Sequence, residues 1–353
     1  MPNIFFESKS ILGLQPQIIK SDDSYNIVLI GTSSLATKIL YKLAILSNLP
    51  EQNRLNLYLV DKKAKKFYKK LQKNFSGIEK VPHLNIKTIK LDSRNPQFYT
   101  NKIWEKENLT NVIIATKDEK KNLEIKDILK NHISTQKTNI LSINNSDLKN
   151  KISKLEAKLI YHLYKEVEYN PNLIFTKKNI NDAKKRWKKE ASKNDKKSSQ
   201  MQSIHIDIKL LALGLKREKS TKTPEKLLEI NKKVFDEKLG FKEITDKELQ
   251  QYSKKLHNLP KNCKVPYFPK NYKSLFEKLI RAEHDRWNTY HYLNGWTYSK
   301  NKDKSTKKHD CLLPLDKFNN NKIKATIIFD IYALVYIPNI LASLRVELVE
   351  VPD

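Results

Sequence analysis

The sequence predicts two parts in tandem: an α/β domain on a doubly wound parallel sheet, then a mainly α-helical half. Three observations predict this. Between Asn26 and Asn144, short apolar runs alternate with helical patterns. The first run, NIVLI, stops at Gly31, and a helical pattern starts at once. Beyond residue 150 the apolar spacing is largely helical, with a long pattern over 275–293.

Taken in order, NIVLI reads as a buried parallel strand, because a strand covered on both faces is continuously apolar. The next helix places Leu35, Ile39, Leu40, Leu43 and Leu46 on one face. LNLYLVD is a second strand, closed by Asp61. A Lys-rich helix follows, with Phe67, Leu71 and Phe75 at four-residue spacing. LNIKTIKLD alternates and ends at Asp92. TNVIIATKD is a fourth strand, ending near Thr116. After a helix around Leu123 to Leu129, TNILSIN is the fifth. Strands joined by helices make right-handed crossovers and a parallel sheet.

Ligands of such sheets bind at the carboxyl ends of the strands, beside the first strand–helix turn. Here that turn is Gly31-Thr32-Ser33-Ser34-Leu35-Ala36. The dinucleotide fingerprint asks for G-x-G-x-x-G/A. Gly31 and Ala36 fit it, whereas Ser33 stands where the second glycine lets the pyrophosphate approach the backbone. Helix-terminal amides still favour an anion there. Asp61 takes the place of the ribose-binding acid, about 30 residues past Gly31 rather than the usual ~20, and the insertion SNLPEQNRLN explains the excess. Two readings stand side by side: a nucleotide cleft, or a Rossmann scaffold that binds none.

Residues 25–146 resemble the TrkA-N domain, the NAD-type regulatory domain of potassium-uptake systems. The resemblance rests on IVLIG, the strand-terminal Asp61, LDSRNPQFY around Asp92 and VIIATKDEKKNL around Thr116. It implies that Gly31, Thr32, Ser33, Ser34, Asp61, Asp92 and Thr116 line a cleft for NAD or another adenine nucleotide. It also implies a homodimer. Ser33 is the main departure from the family pattern.

Bulk composition narrows the partners. The formal charge is +29, which by itself points to a polyanionic partner. Only 7 of the 68 basic residues are Arg, however, and Asn and Ile are abundant, the profile an AT-rich coding bias produces. Phosphate readers favour the planar fork of Arg, so nucleic acid is not the expected ligand. Cys263 and Cys311 lie far apart without a CxxC partner, which excludes a zinc site and a disulfide framework. The start, MPNIFFESKS, lacks the pattern of a signal peptide, and a cytoplasmic location is expected. The apolar run Ala325 to Leu344 contains Asp330, Pro338 and Asn339. An Asp at the centre of a membrane span costs roughly 2.5–3.5 kcal/mol, so the run reads as a buried helix.

The most distinctive segment is AEHDRWNTYHYLNGWTYSKNKDKSTKKHDCLLPLDKF at 282–318. It carries Ala282-Glu283-His284-Asp285-Arg286-Trp287, then Gly295-Trp296-Thr297-Tyr298, then His309, then Leu312-Leu313-Pro314. In that order these residues resemble the RyR domain, named for the ryanodine receptor, over about 275–345. Ser299 replaces the family's glycine. On the predicted helix, Leu279, Glu283 and Trp287 share a face, with His284 beside them. The resemblance implies a ligand site that draws on Glu283, His284, Arg286, Trp287, Trp296, Tyr298 and His309. Trp287 and Trp296 also read as core aromatics, and Arg286 and His309 stay open between core and site.

An earlier stretch, 151–215, reads as a degenerate RyR-like repeat. IHIDIKLLALG parallels YIPNILASL with Ile206 set against Ile337, and EAKLIYHLYKE stands for AEHDRWNTYHY. It lacks the Glu-His and Gly-Trp signals, so a paired structural role is expected. The expected organisation is therefore a lead segment (1–24), the Rossmann domain (25–146), the degenerate repeat (151–215), a helical connector (216–270) and the RyR domain (271–353). Ser192 to Gln202 is polar and reads as a candidate mobile stretch.

No P-loop, HExxH or GxSxG occurs. His284 and His291 share a helical face without a third metal ligand, and Glu283–His284–Asp285 point around a helix rather than converge. No catalytic or metal residues are assigned. The two resemblances together imply a soluble nucleotide-ligand sensor or regulatory protein, such as an effector in bacterial nucleotide signalling and antiphage defence. A cytosolic gating subunit of a separate ion channel and a nucleotide- or NAD-processing enzyme are the alternatives.

Overall fold

The structure is a computed structural model. It describes residues 24–106, 108–133, 138–143, 151–165, 168–240, 244–255, 265 and 267–351. The lead segment through Asp23, Cys263 and most of the proline-rich connector before Tyr267 lie outside the described residues. The chain divides into two compact units: the part before Lys151 together with Thr289–Trp296, and Lys151–Asn288 with Thr297–Asp353.

The first unit holds the five expected strands. They are β1 (Tyr25–Ile30), β2 (Leu55–Val60), β3 (Leu84–Ile89), β4 (Leu109–Ile114) and β5 (Asn139–Ser142), joined by α1 (Ser34–Leu46), α2 (Ala64–Asn74) and α3 (Glu119–Lys130) among other turns. All neighbours pair in parallel, in the order β3-β2-β1-β4-β5. This is the Rossmann-like order, with the first strand central. β1 and β4 are buried at every position, as continuous apolar runs require. Alternate residues Val28, Ile30, Tyr58, Val60, Val112 and Ile114 form one core layer with Phe98, Trp104, Ile125 and Leu129. The insertion after α1 is packed: Asn48 Nδ2 donates to the carbonyls of Ala44 and Ile45, capping the helix end.

The turn at Gly31 is sterically obligatory. Its φ is +106°, and a Cβ there would lie 2.8 Å from the Ala115 carbonyl oxygen. Ser33 is the N-cap of α1. Its Oγ accepts from Ala36 N (3.1 Å) and donates to Ala115 O (2.6 Å). The residue that departs from the glycine pattern thus turns its side chain into the fold and ties α1 to the end of β4.

The second unit is mainly helical. It contains α4 (Lys151–Lys165), α5 (Lys177–Lys189), α6 (Lys193–Ala212), β6 (Leu215–Lys219), α7 (Pro224–Leu239), α8 (Asp246–Lys255) and most of α9 (Leu275–Leu293). The short paired strands β7 (Thr297–Tyr298) and β8 (Lys308–His309) come next, then α10 (Ile327–Val335), α11 (Ile337–Ser343) and β9 (Val346–Glu350). The polar stretch Ser192 to Gln202 is the start and first half of α6, closed by a capping box between Ser192 and Asp195. The apolar run after Ala325 is buried as expected, but as two helices that meet at Tyr336. Pro338 lies in the first turn of the second one, where its missing N–H costs nothing. No helix among the described residues is long and apolar enough to cross a membrane.

β6 and β9 pair antiparallel, from Leu215↔Glu350 to Lys219↔Val346. Each follows a helix and a residue of positive φ, Gly214 (+69°) and Arg345 (+56°). The alignment that sets Ile206 against Ile337 also sets Gly214 against Arg345 and β6 against β9. The buried Asn231 of α7 binds β9, accepting from Leu348 N and donating to Val346 O, both at 2.8 Å.

Candidate functional site

Each unit has its own cavity. In the first, a cleft of about 180 Å³ lies at the carboxyl ends of the strands, lined by Asp61, Lys62, Asp92, Arg94, Thr116 and Lys121 among others. Three expected residues therefore come together: Asp61, Asp92 and Thr116. Gly31, Thr32, Ser33 and Ser34 do not line it. Asp61 accepts from Lys63 N (2.8 Å), and Thr116 is held by Asn122 Oδ1. Arg94 grips Asp92 in a forked pair, and that hydrogen bonding holds the carboxyl well below the ordinary range. As built, this cleft does not fit a dinucleotide. It is smaller than the ~300–1,000 Å³ usual for small-molecule pockets, Asp92 is already neutralised by Arg94, and Ser33 occupies the Ala36 amide of the helix N-terminus.

In the second unit a cavity of about 350 Å³ is walled by two sets of residues. His284, Trp287, Lys302, His309, Cys311, Thr326, Phe329 and Asp330 come from α9 and the chain after it. Tyr161, Tyr164, Lys165, Asp195, Ser198 and Ser199 come from α4 and α6. The two sets correspond. The Ile206–Ile337 alignment matches Asp195 with Thr326, Ser198 with Phe329, and Ser199 with Asp330. With EAKLIYHLYKE set against AEHDRWNTYHY, Tyr161 of α4 falls opposite Trp287 of α9, while Tyr164 falls opposite Tyr290, which does not line the cavity.

His284 is fixed at both nitrogens. Nε2 lies 2.8 Å from the Leu313 carbonyl and Nδ1 lies 3.1 Å from Asp330 Oδ2. A carbonyl only accepts, so Nε2 carries a proton. Burial opposes charge on the ring, but Asp330 outweighs it and raises the His284 pKa. This pairing explains the acid inside the apolar run. Trp287 stacks on His284 (6.0 Å between centroids) and meets His309 edge-on (4.9 Å). His309 Nδ1 lies 3.1 Å from Cys311 N and 3.2 Å from Asp310 Oδ1. Burial first, then Lys302, push the His309 pKa down to about 4. Burial raises the Cys311 thiol to about 12.

Glu283 and Arg286 are not in this wall. They form a closed buried cluster: Glu283 binds Arg286 Nη2 at 2.7 Å and Nε at 3.0 Å, and Lys209 of α6 at 2.8 Å. Burial alone would raise the Glu283 carboxyl; Arg286 and Lys209 outweigh it and hold it at about 2. Asp285 is pushed up to about 6 by burial. The three consecutive residues Glu283, His284 and Asp285 thus serve different partners. Trp296 belongs to the first unit, edge-on to His291 at 5.2 Å, and Tyr298 is 43% exposed on β7. Of the seven residues expected here, His284, Trp287 and His309 line the cavity.

Sequence reasoning missed Tyr161, Tyr164, Lys165, Asp195, Lys302 and Phe329. The one signal for the α4 and α6 residues was the repeat, which was read as purely structural. His309, Asp310 and Cys311 bring ligating atoms within 4.8 Å of one another. The His309 Nδ1 is already engaged with Cys311 N, and the flanking lysines disfavour a cation.

With this geometry in view, comparison with known families gives one match: residues 259–329 match the family model for the RyR domain. The match spans the α9 wall through Phe329 and stops short of α11 and β9. No curated protein and no solved structure matches the chain.

Proposed function

We propose that this chain is a nucleotide-responsive regulatory protein whose ligand occupies the cavity of the second unit. The observation that carries this is the double origin of the walls: the RyR-matching segment supplies one and α4 with α6 the other. A ligand touching both walls stabilises their association, and only such differential binding drives a conformational response. Half-buried rings at Trp287, Tyr164 and Phe329 offer stacking faces for a base. Polar and charged groups, among them Lys165, Asp195, Lys302 and Asp330, stand around these rings. The resemblance of both halves to modules of bacterial nucleotide signalling, antiphage defence included, supports the same reading.

The test is ligand identification on the full chain. Mass spectrometry of small molecules released from purified protein is followed by a thermal-shift screen of nucleotides. A ligand at 100 times its Kd stabilises by about 2.7 kcal/mol. Trp287→Ala is expected to abolish the shift. If no nucleotide co-purifies or shifts melting, the reading fails.

A further inference from the structure

The polar groups facing the cavity of the second unit are unevenly matched. Its acids are already engaged. Asp330 is bound to His284 at 3.1 Å. Asp195 Oδ2 accepts from Ser192 N (3.2 Å) and Ser192 Oγ (2.8 Å) in the cap of α6. Asp303, in the loop carrying Lys302, accepts from Ser305 and Thr306.

The donors are not so engaged. Among the described residues, neither Lys165 nor Lys302 has a carboxylate within ion-pair distance. Lys165 Nζ sits over the Tyr161 ring, 5.5 Å from its centroid. The Tyr161 side chain is 4% exposed, and its hydroxyl has no hydrogen-bond partner among the described residues. Exposed Lys300, Lys304, Lys307 and Lys308 stand on the same loop as Lys302.

A buried donor without an acceptor is costly, and cations that meet no carboxylate among the described residues make a positive local potential at the cavity rim. Both features are relieved by a ligand rich in acceptors and negatively charged. We infer that the cavity selects phosphorylated nucleosides over free ones, with Lys302 and Lys165 holding the phosphate and the Tyr161 hydroxyl donating to it. This rests on the nucleotide reading above and names the part of the ligand that is recognised. Arg286, one of the ligand-site residues expected from the sequence, is tied to Glu283. The two lysines take its place.

The experiment is calorimetric titration of the full chain with adenosine, AMP, ADP, ADP-ribose and inorganic pyrophosphate, at low and high salt. AMP or ADP is expected to bind at least about tenfold tighter than adenosine, since one charge-assisted hydrogen bond contributes that much. The preference shrinks at high salt. Lys302→Ala and Lys165→Ala are surface truncations that leave melting unchanged, and each lowers AMP affinity about tenfold without changing that of adenosine. Tyr161→Phe lowers AMP affinity by a smaller factor. Adenosine binding as tightly as AMP, or a Lys165→Ala/Lys302→Ala double variant that keeps the preference, overturns the inference alone. Pyrophosphate binding as tightly as ADP also overturns it, because the nucleoside is then not part of what is selected. Failure of every probe overturns the nucleotide reading together with it.

Discussion

Replacing Glu283 with glutamine removes one negative charge from a site where it faces two cations. Lys209 Nζ is 2.8 Å from one carboxylate oxygen and Arg286 Nη2 is 2.7 Å from the other. All three side chains are at most 1% exposed, so solvent screens nothing. At an effective dielectric of about 20, each unit pair near 4 Å attracts by about 4 kcal/mol. Desolvation has already cancelled much of that in the native protein. What the variant adds is an uncompensated pair of buried cations, and breaking such a site costs about 3–5 kcal/mol. Lys209, whose pKa burial already lowers, can shed its proton and bring the cost to the lower end. For a domain of 150–250 residues each kcal/mol lowers Tm by about 2–4 °C. The second unit of Glu283→Gln is therefore expected to melt roughly 6–20 °C early. Scanning calorimetry and urea unfolding of the full chain measure this. Replacing the whole cluster with apolar residues, Glu283→Leu with Lys209→Met and Arg286→Met, is expected to recover most of the loss. The pH dependence has a fixed sign. The folded carboxyl titrates at about 2, below its unfolded value, so its contribution is complete above the unfolded pKa and fades as pH falls towards 2. A cost below about 1 kcal/mol for Glu283→Gln refutes the reasoning, as does a triple variant no more stable than the single one.

Gly31→Ala is expected to unfold the first unit or cost several kcal/mol on the order of a core defect, because its Cβ would strike Ala115 and its φ is positive; a far-ultraviolet melt checks it, and a loss under about 1 kcal/mol speaks against the described turn. Asp330→Asn removes the carboxylate that raises the His284 pKa, so its imidazole should titrate lower than in the native protein by NMR; an unchanged midpoint contradicts the pairing. His309 should stay neutral down to about pH 4. The unfolded chain takes that proton near 6.5, so stability falls as pH drops from there towards 4, and His309→Gln should flatten this part of the stability profile. Asn231→Leu strands the Leu348 amide and Val346 carbonyl and should cost about 1–3 kcal/mol for each group left unsatisfied, read from urea midpoints.

Much of the fold was legible because it is written in short stretches. NIVLI cannot be amphipathic, Gly31 cannot be replaced at its φ, and the leucines of 35–46 fall on one face; each constraint acts within a few residues. The long helix over 275–293 declared itself in the same way. The apolar run after Ala325 was legible as buried, while its break at Tyr336 depended on where Pro338 falls within a turn. No strand was expected at β6 or β9; each follows a helix of the two aligned stretches and a residue of positive φ, Gly214 or Arg345.

The candidate site was legible only where its residues are neighbours in sequence. His284 and Trp287 lie on one face of one helix, and that much comes from helical spacing. Arg286, on the same helix, was expected in the site as well. It is withdrawn by Glu283 one turn before it and by the crowding of Lys209, which belongs to a helix some 70 residues earlier. Asp330 was an anomaly in an apolar run until His284 explained it. Lys165 and Tyr161 were marked by the expected repeat alone, which carried no ligand role. By itself, then, the sequence determined the α/β sheet, the turn at Gly31 and the helix that presents His284, because these obey local sterics and periodicity. Only the tertiary structure decided which charges close on one another and which are left facing a cavity. Charge pairing depends on distance through space, and no spacing along the chain encodes that distance.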